Sequence, residues 1–114
     1  EVAMEVQARA RWVGLSPRKA RLVLEPIRGK PVEEALTILR FMPTPAARVV
    51  EKVVKSAAAN AENNYALTAD ELRVKYAYAD DGRRLKRYRP AARGRVHPYV
   101  RRTAHITVVV EEMD

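Results

Sequence analysis

Hydrophobic and polar residues alternate from Val2 to Trp12. Val2, Met4, Val6, Ala8, Ala10 and Trp12 share one face, and Glu5, Gln7, Arg9 and Arg11 the other. A period of two predicts a half-buried strand, which Gly14 ends. The period then changes. Ser16 followed by Pro17 reads as a helix start, because a serine oxygen caps an orphan N–H and proline at the first helical position forfeits no hydrogen bond. Ala20, Val23, Leu24 and Ile27 follow at helical spacing, with Arg18, Arg21 and Arg28 opposite them. Pro26 should kink or end this helix, and Gly29 closes the segment. Pro31 opens a short second helix with Val32, Ala35, Leu36 and Leu39 inward. Thr44 and Pro45 start a third, running to about Asn64. Its apolar stripe is Ala46, Val49, Val50, Val53, Val54, Ala57 and Ala61, and its polar stripe is Arg48, Glu51, Lys52, Lys55 and Glu62. Leu72 to Tyr78 and Ala104 to Val110 alternate again, as a second and a third strand.

Between those last two strands lies a segment open to two readings. Asp81-Gly82 can be a tight turn followed by a strand from Arg83 to Arg89, which offers only Leu85 and Tyr88 to a core. Alternatively, Gly82 is a bulge and the whole stretch is one long hairpin with its tip near Pro90 to Gly94. The second reading is preferred, because Tyr76 to Asp80 and Arg101 to His105 are then the two arms at the base, with the tip about midway between the flanking strands. An arm of about eleven residues a side projects roughly 35 Å. With so little apolar surface it needs a partner to order it. The expected organisation is one domain over residues 1–114, with a body of 1–79 and 103–114 and an arm of about 80–102. The expected core draws on Trp12, Val23, Ile27, Leu36, Val50, Val53, Val74, Ile106 and Val108.

Charge gives the arm its meaning. The chain of 114 residues has 22 Lys+Arg against 14 Asp+Glu, a net charge of +8. A domain this basic expects a polyanionic partner. Nine of the cations, and no acid, lie in one run: Arg83, Arg84, Lys86, Arg87, Arg89, Arg93, Arg95, Arg101 and Arg102. A second zone holds Arg9, Arg11, Arg18, Lys19, Arg21, Arg28 and Lys30 against the single acid Glu25. A charge run is commonly a solvated face or a tail. This one is internal, is almost all arginine, and interleaves Tyr88 and Tyr99. Arginine binds phosphate through a planar fork, and tyrosine stacks on unpaired bases. Both zones, with the capping Ser16 at a helix N-terminus, are therefore candidate nucleic-acid contacts. The basic run lacks an apolar face, which argues against a membrane, and no apolar stretch nears the roughly 20 residues of a bilayer span. No secretory leader is read at the N-terminus.

Enzyme chemistry finds no support. His97 and His105 are the only histidines, cysteine is absent, and no carboxylate stands at ligand spacing, so neither metal nor cofactor is expected. Asp80-Asp81 before Gly82 reads as a turn acid pair. Two binding classes remain: an RNA-binding structural protein, or an architectural DNA-binding protein using a basic β-arm with proline near its tip. Such DNA binders commonly dimerise, and no dimer seam is visible, so an obligate homo-oligomer is not expected.

Four stretches together resemble the bacterial ribosomal protein L-twenty-two family. They are Ser16-Pro17-Arg18-Lys19-Ala20-Arg21-Leu22-Val23; Ile27-Arg28-Gly29-Lys30; Ser56-Ala57-Ala58-Ala59-Asn60-Ala61-Glu62-Asn63-Asn64; and Arg93-Gly94-Arg95 to Arg101-Arg102-Thr103-Ala104-His105-Ile106-Thr107-Val108. They stand in the family's order across nearly the whole chain. The resemblance implies an α+β fold, with three helices packed on a small three-stranded antiparallel sheet and a long basic β-hairpin extension. It implies a structural constituent of the large ribosomal subunit in the cytoplasm, bound to 23S-type rRNA and to neighbouring ribosomal proteins. It also implies that the tip, Tyr88, Arg89, Pro90, Ala91, Ala92, Arg93, Gly94 and Arg95, lines the exit tunnel beside the nascent polypeptide, near the macrolide region. Ala91, where the family usually has arginine, and Pro26 depart from the pattern.

Overall fold

In the computed structural model, residues 5–82, 85–90, 94 and 96–113 are described, the stretches 85–90 and 96–101 by their backbone. The chain order is β1 (Glu5–Val13), α1 (Pro17–Leu24), α2 (Val32–Arg40), α3 (Pro45–Tyr65), β2 (Leu72–Asp81), β3 (Leu85–Pro90), β4 (Val96–Arg101) and β5 (Ala104–Glu112). β5 is the central strand of an antiparallel sheet ordered β1-β5-β2, and β3 pairs with β4. The helices cover one face of that sheet. Val6, Ala8, Ala77, Ala79, Ile106, Val108 and Val110 from the strands share one core with Val23, Leu24, Ile27, Val32, Leu39, Val50 and Val54 from the helical side.

Helix starts follow the local chemistry. Ser16 accepts from the Lys19 N–H at 3.4 Å and Thr44 from the Ala47 N–H at 3.3 Å, each with proline next in line. Pro26 does end α1: the chain tightens into a single 3-10 turn over Glu25–Ile27, and Gly29 turns it at a φ of 77°. Ala47 is buried in α3 where Ala46 was expected, and Leu36 is only half-buried. Arg48, on the polar stripe, donates to the carbonyls of Leu39, Arg40 and Met42, so it caps the C-terminal end of α2.

The sheet departs from simple alternation at two places. In β1 the register slips between Ala10 and Val13, and Trp12 has a φ of 59°. That left-handed backbone lifts the indole out of the inward row, so Trp12 is 57% exposed and is not a core residue. Its ring instead meets His105 edge-on at 4.8 Å, and its backbone N–H donates to His105 Nδ1 at 3.2 Å. In β2 the pairing passes from Val74↔Val110 to Tyr76↔Val109, with Lys75 the extra residue. Leu72 and Val74 point inward before this bulge, Ala77 and Ala79 after it, and Tyr76 and Tyr78 are turned out. Of the expected core, Val23, Ile27, Val50, Val53, Val74, Ile106 and Val108 are buried.

The end of the sheet remote from the arm carries an ion-pair cluster. Arg73 Nε donates to Glu111 Oε1 at 2.6 Å, Lys75 Nζ lies 3.6 Å from Glu111 Oε2, and Lys75 also bonds Glu5. The hydrogen bond from Arg73 holds the buried Glu111 carboxyl below the usual carboxylate range. A carboxyl whose folded value is depressed adds stability above its unfolded value, near 4.3, and loses it as pH falls through the folded value. Glu111→Gln is expected to cost about 1–2 kcal/mol near pH 7, less than a fully buried pair because Arg73 is half exposed. Urea unfolding should show this gap narrowing as pH falls below about 4 and vanishing once the folded Glu111 carboxyl has taken up its proton.

Candidate nucleic-acid interface

β3 and β4 extend the strands of the sheet as one hairpin. Pairing runs from Leu85↔Arg101 to Pro90↔Val96, directly beyond Asp81↔Ala104. The hairpin reading therefore holds, and the tight turn at Asp81-Gly82 is excluded. Gly82 itself keeps the β2–β5 register, its N–H donating to the Thr103 carbonyl, and the β3–β4 ladder is offset from that register by one residue. The principal extents are 65 × 26 × 19 Å, so the molecule is long in one direction. Gly94, at the far end, has a φ of 73°.

The body supplies the second basic zone. Arg9, Arg11, Arg18, Lys19, Arg21, Arg28 and Lys30 are all exposed, and Ser16 is half-buried at its cap. Two of these arginines also hold the fold together. β2 is an edge strand, and its outward carbonyls need partners. Arg21 Nη2 donates to the Ala79 carbonyl at 2.9 Å and Arg28 Nε to the Ala77 carbonyl at 2.7 Å. Further along, the Gly29 N–H donates to the Val74 carbonyl and the Val74 N–H to the Lys30 carbonyl, both at 2.8 Å. Each guanidinium has five N–H donors, so a single edge bond leaves most of its capacity for phosphate.

These bonds bring together zones that are far apart in sequence. Arg21 is tied to Ala79, two residues before the end of β2, so α1 lies along the edge that leads into the arm. On the other side, Val13 pairs with Ala104, placing Arg11 and the exposed Arg102 near the same base. Arg83, Arg84, Ala91, Ala92, Arg93 and Arg95 lie outside the described residues. Lys86, Arg87, Tyr88, Arg89 and Pro90 are placed on β3 and Arg101 on β4 by their backbone. Residue reasoning missed Trp12, Tyr76 and Tyr78 as surface groups, since both bulges are invisible to a strict period of two.

No cluster of three potential metal ligands occurs among the described residues, and no helix there is long and apolar enough to cross a membrane. His105 is taken up by Trp12.

Sequence comparison with known proteins gives the family. The family model described as ribosomal protein L22p/L17e matches residues 8–111. A protein of Thermoanaerobacter sp. named large ribosomal subunit protein uL22 is 56% identical, over 97% of this chain and all of its own length. The protein of that name from Dehalococcoides mccartyi is 54% identical over 96% of this chain and its own full length. The one from Lactobacillus delbrueckii subsp. bulgaricus is 51% identical over the whole chain and 97% of its own. The chain belongs to the ribosomal protein L22p/L17e family.

Proposed function

We propose that the protein binds 23S-type rRNA through its arm and the basic face of α1, with the arm tip at the wall of the nascent-chain tunnel. It is a structural constituent of the large ribosomal subunit in the cytoplasm and not an enzyme. The observation that carries the finer reading is the arm itself: a paired hairpin continuing the sheet, with nine cations and no acid from Arg83 to Arg102. Arginines along both strands neutralise phosphates and hold the hairpin in the RNA. The α1 cluster anchors the body, and Arg21, with Arg28 just beyond the helix, ties this segment to the sheet at the same time. Neighbouring ribosomal proteins meet the body, and the nascent polypeptide passes Tyr88 to Arg95.

The test is a variant with a shortened tip. The tip takes in only the last three pairs of the hairpin, Tyr88↔Pro98 to Pro90↔Val96, so its removal should change stability by about 1 kcal/mol or less. Gradient sedimentation should show the variant entering large subunits, because the arm's base keeps its phosphate contacts. Macrolide response or nascent-chain stalling in the same cells should shift. Failure to enter subunits would make the tip an assembly anchor. Entry with unchanged drug response and stalling would remove it from the tunnel lumen.

A further inference from the structure

We propose that the outer face of the sheet, opposite the helices, is a stacking platform for unpaired RNA bases, formed by Trp12, Tyr76 and Tyr78 and flanked by Arg9 and Arg11. This rests on the reading that the protein binds RNA and adds a second site to it, away from the arm.

The two bulges create the platform. Without the one at Lys75, Tyr76 and Tyr78 would continue the inward row of Leu72 and Val74. With it they stand on the solvent face, 52% and 42% exposed. The bulge before Val13 turns Trp12 onto the same face, against His105. The registers then order the surface in rows: Gln7↔Val109↔Tyr76, Arg9↔Thr107↔Tyr78, and Trp12 beside His105↔Asp80. Neighbouring strands lie about 4.8 Å apart, so Arg9 and Tyr78 flank Thr107 at roughly 10 Å, and Tyr76 and Tyr78 are about 6.7 Å apart along β2. Thr107 and Val109, between them on β5, are buried. Lys75 Nζ sits 5.2 Å from the centre of the Tyr76 ring.

The chemistry of this face selects the ligand. Among the described residues, none of its exposed groups is aliphatic; beside the rings and guanidinium groups it carries Glu5, Gln7, Lys75 and Asp80. A protein-docking face would be expected to present aliphatic anchors as well. Glu5 and Glu111 are neutralised by Lys75 and Arg73, which leaves Asp80 as the acid nearest the rings. Rings with cations beside them, on an open sheet, suit single-stranded RNA. Its bases stack on tyrosine and tryptophan while its phosphates reach arginine.

Trp12 is the only tryptophan in the chain, so its fluorescence reports on the platform directly. The full-length protein is titrated with an unstructured oligouridylate and with a duplex RNA of equal length. The single strand is expected to quench Trp12, and the duplex to bind without comparable quenching. Tyr76→Leu and Tyr78→Leu should each weaken oligouridylate binding about tenfold with an unchanged salt slope, because stacking releases no counterions. Tyr78→Phe should restore what Tyr78→Leu loses, which separates stacking from loss of fold. A variant with Arg83, Arg84, Arg87 and Arg89 changed to glutamine should bind more weakly yet still show quenching. Leucine variants that bind like wild type would overturn the platform, as would loss of all quenching in the arm variant. Quenching that persists beside an arm variant of unchanged salt slope would sink the arm reading and leave the platform standing.

Discussion

Replacing Arg83, Arg84, Arg87 and Arg89 together by glutamine is expected to weaken binding to a 23S-type rRNA transcript on the order of a thousandfold near 0.1 M salt. Each neutralised phosphate releases about 0.7–0.9 of a counterion, so four lost contacts should lower the slope of log K against log salt by about 3. Glutamine retains a planar hydrogen-bonding head and a similar stem, so the comparison isolates charge. The body should be unaffected, because all four positions lie in the arm, past Ala79, the last residue of β2 in the core. Binding isotherms from about 0.05 to 0.3 M salt give the slope directly. A weaker complex with an undiminished slope would mean that these arginines act through geometry and that the phosphates are held elsewhere, with the α1 cluster the next candidate.

Both basic zones were legible in the sequence, as were the three helices, because their signals are local. A capping serine or threonine before proline, an apolar stripe, and a run of arginines can each be read without knowing what lies opposite. The hairpin was legible through symmetry, since its tip sits midway between two alternating strands. What could not be read depended on pairing. Trp12 continues the alternation of Val6, Ala8 and Ala10 perfectly, yet a register slip against β5 expels it. Tyr76 follows Val74 at the inward spacing, yet Lys75 bulges and the parity reverses. A bulge is set by the partner strand, so one strand's sequence does not contain it. The roles of Arg21 and Arg28 were half legible. Their exposure and charge make them candidate phosphate contacts, but the bonds to Ala79 and Ala77 appear only when β2 proves to be an edge strand.

Gly82→Val is expected to destabilise the protein by about 3 kcal/mol and Gly82→Ala by about 2 kcal/mol, a steric cost at the hinge between body and arm. The Gly82 N–H donates to the Thr103 carbonyl at 2.9 Å, which continues the β2–β5 ladder past Asp81. A Cβ at Gly82 would lie 2.4 Å from Thr103 Oγ1 and 3.1 Å from both the carbonyl carbon and oxygen of Thr103. The hydroxyl contact could be relieved by turning a side chain, but Thr103 is buried, which limits where it can go. The backbone contact is harder to relieve, because moving the Thr103 peptide away would break the hydrogen bond that joins the strands there. Thr103→Ala should therefore rescue Gly82→Ala only in part, with a coupling of about 1 kcal/mol in the double-mutant cycle. Urea unfolding of the four proteins at one pH measures it, provided the dependence on denaturant is the same in all. Full rescue would place the whole constraint in the Thr103 side chain. A Gly82→Ala protein as stable as wild type would show that the strands part at this point without cost, and the ladder could then not be what aims the arm.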